Sequence, residues 1–257
     1  MAVTSREVLL LKAPGEDDED KYESILTKNG FTVKHLQVLD FQYINLSILK
    51  EKLSEVDSYS GIIFTSQRGV IATKICLNGA KMNVKWKQKD NFVIGESTHD
   101  LAYKELDLDC KGQDSGNANH LSELIIHDNF KLPFLFPCGN LRKETLGQRL
   151  SEYNIKLDAI TVYETVKSPR LESDFIELTS NLKNLPEYLV YFSPSGLKFT
   201  KDILKDFSVE LNTIKLVAIG PSTKEAIENE NLDVYAVAAK PTETELLRAI
   251  LKHDQIM

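Results

Sequence analysis

Along this chain, short continuous apolar runs alternate with stretches that place an apolar residue at every third or fourth position, the pattern of strands alternating with helices. Val8–Lys12 reads as a strand, followed by an acidic loop and a helix near Asp18–Lys28 with Tyr22, Ile25 and Leu26 on one face. Asn29 and Gly30 stop that helix, and Phe31–Val33 restarts a strand. Val38–Tyr43 is extended, Leu46–Leu53 helical, and Gly61–Thr65 a buried strand ending at Ser66, which can cap a helix running through Cys76. Phe92–Ile94 is the next strand, with a helix from Ser97 to Leu106, and Asn117 caps a helix over His120–Ile126. The second half repeats the order: strand Phe134–Phe136, helix Leu141–Tyr153, a strand at Ile155 and Leu157, and an extended β-branched run at Ile160–Val166. Leu189–Phe192 is a strand stopping at Ser193, with Pro194 at the first helical position. The stretch Leu216–Thr223 then runs from strand into helix, with Ser222 and Glu225 spelling a capping box. A strand at Val234–Val237 and a helix capped by Thr242 with Glu245 complete the pattern.

The similarity of the halves extends to particular residues. Gly95 in FVIGEST and Gly220 in AIGPST are 125 positions apart, and Ser66 in IIFTSQRGV and Ser193 in VYFSPSGL are 127 apart. Pro14-Gly15 answers Cys138-Gly139 and Gly30-Phe31 answers Asn154-Ile155, both at 124, while HLSELI at His120 answers ELLRAI at Glu245 at 125. Matches in order at nearly one offset indicate a duplicated unit of about half the chain. Strand–helix alternation implies parallel sheets built from βαβ units, so the expected fold is α/β, with two parallel-sheet domains of related topology. Leu36–Asp40 and Ile160–Glu164 are equivalent under the duplication, and if the chain crosses between domains at both, the connectors can pair. The expected organisation is a discontinuous domain of residues 1–37 plus 167–257, a second domain of residues 41–162, and paired linker strands at 36–42 and 160–167.

Composition narrows the class. The 257 residues are 42% hydrophobic and 27% charged, ordinary for a soluble globular protein, and no apolar run approaches the roughly 20 residues of a membrane span. The start MAVTSREVLLLK enters a strand pattern and does not read as a signal peptide. Cys76, Cys110 and Cys138 share no CxxC spacing and suit free thiols in a reducing compartment, with Cys76 read as core. The histidines have no paired-ligand spacing, which leaves a metal site without support. A net charge of −7 argues against a nucleic-acid partner, and the one basic cluster with an aromatic, Lys81–Lys89 around Trp86, reads as a solvated loop.

In parallel sheets, ligands collect beyond the carboxyl ends of strands. Here Ser66, Ser97-Thr98, Ser193 and Ser222-Thr223 lie at strand ends that open into helices. Their free N–H groups suit a polyanionic ligand, because the donors act locally while the −7 is spread and screened. The competing reading makes them helix caps and nothing more, worth about 1 kcal/mol each. No GxGxxG, GxxxxGK[ST] or GxSxG occurs, so nucleotide and α/β-hydrolase chemistry lack their usual signals. Asp17-Asp18 and Lys240-Pro241 resemble a phospho-signalling receiver domain, but the middle strands end in hydroxyls where that domain needs an aspartate.

The ordered set LLLKAPGEDDE, GIIFTSQRGV, FLFPCGNLRKETL, ITVYETV, YFSPSGL and AIGPSTKEA resembles uroporphyrinogen-III synthases of the eukaryotic type, from Leu9 to about Leu251. The resemblance implies two α/β domains joined by a two-stranded linker. It also implies an activity: hydroxymethylbilane, a linear tetrapyrrole, is dehydrated and closed with inversion of ring D through a spiro intermediate, with no cofactor or metal. It places the residue assisting departure of the hydroxyl at Tyr163 and substrate contacts at Ser66, Arg68, Thr98, Ser193, Ser222 and Thr223. A phenol is protonated at pH 7 and can donate, although from its apolar surroundings alone Tyr163 reads as core. Gln67 stands where many relatives have proline, which implies a less rigid turn beside Arg68. The resemblance further implies a cytoplasmic monomer acting on a small molecule, with no membrane or nucleic-acid partner and transient contact with the enzyme that supplies the bilane. The reading from another class is a non-catalytic two-domain anion- or tetrapyrrole-binding protein.

Overall fold

The computed structural model describes residues 6–13, 20–207, 209 and 213–254. Pro14, Gly15, Asp17 and the expected helix start at Asp18 lie outside the described residues. In chain order the elements are β1 (Arg6–Leu11), α1 (Lys21–Lys28), β2 (Phe31–His35), β3 (Leu39–Tyr43), α2 (Leu46–Ser54), β4 (Gly61–Phe64) and α3 (Gln67–Leu77). Next come β5 (Phe92–Val93), α4 (Glu96–Leu106), α5 (Ala118–Ile126), β6 (Phe134–Gly139), α6 (Thr145–Glu152) and β7 (Leu157–Lys167). The remainder is α7 (Leu171–Leu178), β8 (Tyr188–Tyr191), α8 (Pro194–Asp206), β9 (Lys215–Ala218), α9 (Pro221–Glu228), β10 (Ala236–Val237) and α10 (Glu243–Asp254).

Two compact units result, one of Met1–Asp40 with Val166–Met257 and one of Phe41–Thr165. The first unit holds a sheet in the order β10-β9-β8-β1-β2, parallel throughout. The second holds β3-β7-β6-β4-β5, parallel from β7 to β5. A shift of about 125 residues carries β5-β4-β6-β7 onto β9-β8-β1-β2, so the sequence repeat is also a repeat of strand order. Even the edge strand β10 has a remnant counterpart, a single parallel bridge between Phe92 and Lys111.

Both sheets are covered on both faces, which is why their central strands are unbroken apolar runs rather than alternating ones. All four residues of β8 and all six of β6 are buried. The first unit has two cores, one around Leu9, Leu189 and Leu216 and one around Val8, Val190 and Val217, because successive strand residues point to opposite faces. The second unit likewise has one around Phe64, Trp86 and Val162 and another around Ile63, Phe134 and Phe136. Pro137 is tolerated in the central strand β6 because β4 pairs only with Phe134 and Leu135, before it. The helix α3 lies so close to β6 that a Cβ on Gly69 would come 2.7 Å from the Pro137 carbonyl oxygen.

Several expectations need correction. The helix expected from Leu141 begins at Thr145. Asn140 donates its N–H to the Tyr163 carbonyl and accepts the Thr165 N–H on its side chain, so the chain stays beside β7 before it can coil. The strand expected at Ile155 and Leu157 and the extended run expected at Ile160–Val166 are one strand, Leu157–Lys167, with Ile155 just before it. The helix α7, which starts just beyond the expected domain bound at residue 167, has no counterpart in the expected elements. Trp86 is wholly buried, not part of a solvated loop: its indole N–H donates to the Leu53 carbonyl at 3.0 Å and its ring stacks on Tyr59. Its lysine neighbours Lys85 and Lys87 sit on the outside of a single 3-10 turn, Val84–Gln88, and pair with Asp57 and Asp107.

Ser222 is not a cap. The helix α9 begins at Pro221 with Gly220 as its N-cap, and Thr223 and Lys224 donate their N–H groups to the Gly220 carbonyl. Its repeat partner behaves alike: α4 begins at Glu96 with Gly95 as N-cap, and Thr98 and His99 donate to the Gly95 carbonyl. Asn117 does cap α5, accepting from the N–H groups of Asn119 and His120, and Thr242 accepts from the Glu245 N–H at 3.4 Å. Among the described residues no helix is long and apolar enough to cross a membrane.

Candidate active site

In the second unit the residues singled out from sequence gather at the carboxyl end of the sheet. Ser66, two residues beyond β4, is extended and occupies the N-cap position of α3, yet its hydroxyl makes no capping bond. Instead Ser66 Oγ lies 3.0 Å from the Tyr163 hydroxyl. Tyr163 reaches that position through a bulge: Cys138 is opposite Thr161 but Gly139 is opposite Tyr163, so Val162 is the extra residue. A bulge bends its strand and re-aims the side chains beyond it. Val162 is therefore fully buried while Tyr163 is half-buried at the margin of the core.

Around the phenol stand two further aromatic rings and a cation. Phe41 meets the Tyr163 ring edge to face with centroids 6.2 Å apart. The Arg68 guanidinium lies 3.4 Å from the centre of the Phe41 ring, a cation–π contact that fixes both. Burial pushes the Tyr43 phenol above its ordinary range, with Arg68 working against the rise and Tyr163 adding to it. The Gln67 side-chain amide donates to the Ser97 carbonyl at 3.1 Å, linking the start of α3 to the start of α4. Thr98, in the first turn of α4, is buried at 4% exposure, and Ser97 beside it is exposed.

In the first unit Ser193 caps α8, its Oγ accepting from the Gly196 N–H at 3.1 Å, with Pro194 at the first helical position. Ser193 follows β8 and Thr223 follows β9, adjacent strands, so the two helix starts share one end of the sheet. Thr223 is 2% exposed, whereas Ser222 is open to solvent. Both helices open with a proline, which has no N–H, and Gly196 and Thr223 donate back to Ser193 and to the Gly220 carbonyl, so the donors that point out from these positive helix ends are the N–H groups of Ser195 and Ser222.

The same end of the first sheet holds groups that a pattern of strand-end hydroxyls does not reveal. Lys12, directly after β1, pairs with the Asp20 carboxylate and lies over the rings of Tyr22 and Phe192 at 5.1 and 5.5 Å. Burial works to raise the Asp20 carboxyl, but hydrogen bonds from Lys12 and the Glu23 N–H outweigh it and hold it below the usual range. His35, at the end of β2, meets Glu23 at 2.9 Å. The signal that could have found Lys12 and Phe192 is position: each directly follows a buried strand, one place before that of Ser66 and Ser193.

The remaining reactive groups are withdrawn. Burial pushes the thiols of Cys76, Cys110 and Cys138 up, that of Cys110 to about 12, so none carries a thiolate at neutral pH. Among the described residues no group of three or more His, Cys, Asp or Glu side chains is arranged to hold a metal ion. Two hollows of the second unit, one against α6 beside Arg142 and Lys156 and one between the ends of α3 and α4 beside Lys74 and Lys104, include neither Tyr163 nor Ser66. Chemically, then, the second unit offers a phenol backed by a hydroxyl and flanked by a guanidinium, and the first offers N–H donors and a paired lysine.

Known proteins share both the sequence pattern and the fold. The chain is 25% identical over 256 residues to the uroporphyrinogen-III synthase of Saccharomyces cerevisiae, covering 90% of each. In fold it is similar to the crystal structure of the uroporphyrinogen-III synthetase of Helicobacter pylori, with a TM-score of 0.63 and 16% identity over 96% of this chain and 99% of that one. A mutant uroporphyrinogen III synthase from Thermus thermophilus superposes with a TM-score of 0.58 at 14% identity, covering 98% of this chain and all of that one. Residues 20–248 match the family described as uroporphyrinogen-III synthase HemD, and the chain belongs to that family.

Proposed function

We propose that this cyclising lyase of tetrapyrrole biosynthesis takes hydroxymethylbilane as substrate, closes it with inversion of ring D, and uses Tyr163 to assist loss of the hydroxyl. The observation that carries the role of Tyr163 is its hydrogen bond with Ser66 at a β-bulge, in a chain that matches the family over residues 20–248. The electron pair of the terminal pyrrole expels the hydroxyl, and the Tyr163 proton leaves with it as water. Ser66 Oγ, 3.0 Å away, can donate to the phenol oxygen as negative charge grows there.

The azafulvene so formed can close directly or through the substituted carbon of ring D and a spiro intermediate. Each tenfold preference between these routes needs about 1.4 kcal/mol of barrier difference. Positioning of the acid side arms supplies it: Arg68 by charge, and the helix starts carrying Ser66, Thr98, Ser193, Ser222 and Thr223 by their N–H groups. The side chains of Thr98 and Thr223 are nearly covered and their N–H groups already donate to the Gly95 and Gly220 carbonyls, so beside them the exposed Ser97 and Ser222 make the contacts. The reading includes a cytoplasmic monomer that needs no cofactor or metal and touches the enzyme supplying its substrate only transiently.

The test is to supply hydroxymethylbilane and separate the uroporphyrinogen isomers. The inverted isomer III is expected in excess. Isomer I alone overturns the reading, and tight binding with an unchanged isomer ratio selects a non-catalytic tetrapyrrole-binding protein instead.

A further inference from the structure

Gly139 ends β6 in the sequence PCGN, and the usual reason for a glycine is missing: its backbone is not in the left-handed region that disfavours other residues. What excludes a side chain is space. A Cβ on Gly139 would lie 2.5 Å from Cε2 and Cζ of Tyr163 and 2.7 Å from its hydroxyl oxygen. The tyrosine ring occupies the volume that any other residue at position 139 would fill. The bulge brings the two together, because it sets Gly139 directly opposite Tyr163. Phe41 packs edge to face on the same ring and is itself covered by Arg68.

We propose that Gly139 is a positioning residue for the reaction: its missing side chain, with Phe41, sets where the Tyr163 phenol stands against Ser66 and the substrate. This rests on the reading of Tyr163 as the residue that assists departure of the hydroxyl. The close approach is to the far end of a side chain, not to backbone, so an added methyl group displaces the ring and leaves the fold intact. Restoring an ordinary carbon–carbon separation of about 3.5 Å requires a ring shift of about 1 Å. A misplacement of that size at a reacting group costs about 100-fold in rate.

Gly139→Ala is therefore expected to lower kcat about 100-fold with KM nearly unchanged and an unfolding midpoint close to that of the parent. Its crystal structure is expected to show the Tyr163 ring moved and its hydroxyl beyond hydrogen-bond distance of Ser66. Tyr163→Phe is expected to be similarly slow, and the double variant no slower than Tyr163→Phe, since Gly139 acts through the phenol. Phe41→Leu loosens the ring without adding atoms and is expected to slow the parent but not the Tyr163→Phe background, which keeps the test open if Gly139→Ala does not fold. Unchanged kcat in Gly139→Ala beside a slow Tyr163→Phe overturns this proposal alone. A ring that stays in place, or an equal further loss in the double variant, also overturns it. Tyr163→Phe at full speed overturns the underlying reading, and a slow Gly139→Ala beside it shows that the glycine acts by another route.

Discussion

A hydroxyl at a helix start has two possible employments, and Ser66 and Ser193 divide them. Ser193 accepts from the Gly196 N–H and so serves its helix, whereas Ser66 turns its oxygen to Tyr163 and leaves its helix start to other donors and acceptors. Ser193→Ala is accordingly expected to cost about 1 kcal/mol of stability. Ser66→Ala is expected to lose little stability and to slow turnover about tenfold, equivalent to about 1.4 kcal/mol, the net value of one hydrogen bond. Unfolding midpoints and kcat measured on both variants check this, and a Ser66→Ala enzyme at full speed but lowered midpoint reverses the assignment. These two serines are visible in the sequence as strand-end hydroxyls, but which job each does is not, because that depends on whether an aromatic hydroxyl from a distant strand arrives beside it. Ser222 has the spelling of a cap without its place: Pro221 before it marks the first helical position, as Pro194 does after Ser193, so Gly220 is the cap. Tyr163 can be named only through family resemblance, since one extra residue in β7 turns it out of the core and alternation in sequence does not record a bulge.

The last element, α10, is held at its end by charge as well as by apolar packing. Leu246 and Ile250 bury its inner face, and Asp254 accepts hydrogen bonds from Arg6, Tyr188 and Tyr235, with Lys215 at 3.5 Å. Burial alone would raise the Asp254 carboxyl, but the bonds from Tyr235, Arg6 and Tyr188 prevail and hold it at about 2. An unfolded aspartate titrates near 3.9, so the folded value is depressed and the carboxylate stabilises the fold above about pH 4. That contribution, about 2 kcal/mol, is lost as the pH falls from about 4 through about 2. Asp254→Asn is thus expected to unfold at a lower temperature than the parent at neutral pH, with the gap narrowing to a fraction of its size by about pH 2.5. Thermal scans across that range decide it, and a gap of constant size would assign the effect to shape instead of charge. Nothing in the sequence joins Arg6, Tyr188, Lys215 and Asp254, which come from four separate elements and meet only because β1, β8 and β9 are neighbours in one sheet. By contrast most single elements are legible, since parallel strands buried on both faces write themselves as apolar runs.

At the scale of the whole molecule, the duplication explains why the chain is divided as it is. The front of one half and the back of the other build each sheet, so the first unit is assembled from the two ends of the chain and the second from its uninterrupted middle. Among the described residues, the cores around Phe64 and Ile63 are built from the second unit and those around Leu9 and Val8 from the first. This is partly readable from sequence, because equal offsets along the chain predict equal strand orders, while the points of crossing depend on pairing that offsets do not specify. The difference in continuity has an unequal consequence for fragments. A fragment of residues 39–167 keeps β3 to β7, both cores of the second unit and the Ser66–Tyr163 pair, so it is expected to fold and unfold cooperatively by itself. A chain ending at residue 167 additionally carries β1 and β2, but without β8, β9 and β10 those strands lose every partner on one side and the cores they line. Its first 38 residues are expected to remain unstructured and open to protease while the rest resists, since a two-stranded parallel pair cannot bury enough apolar surface to offset the chain entropy of ordering it. Circular dichroism melts of the short fragment and limited proteolysis of the longer one test both halves of the expectation. A short fragment that melts without a transition would mean that the second unit depends on the first, and the two would then have to be counted as one folding unit.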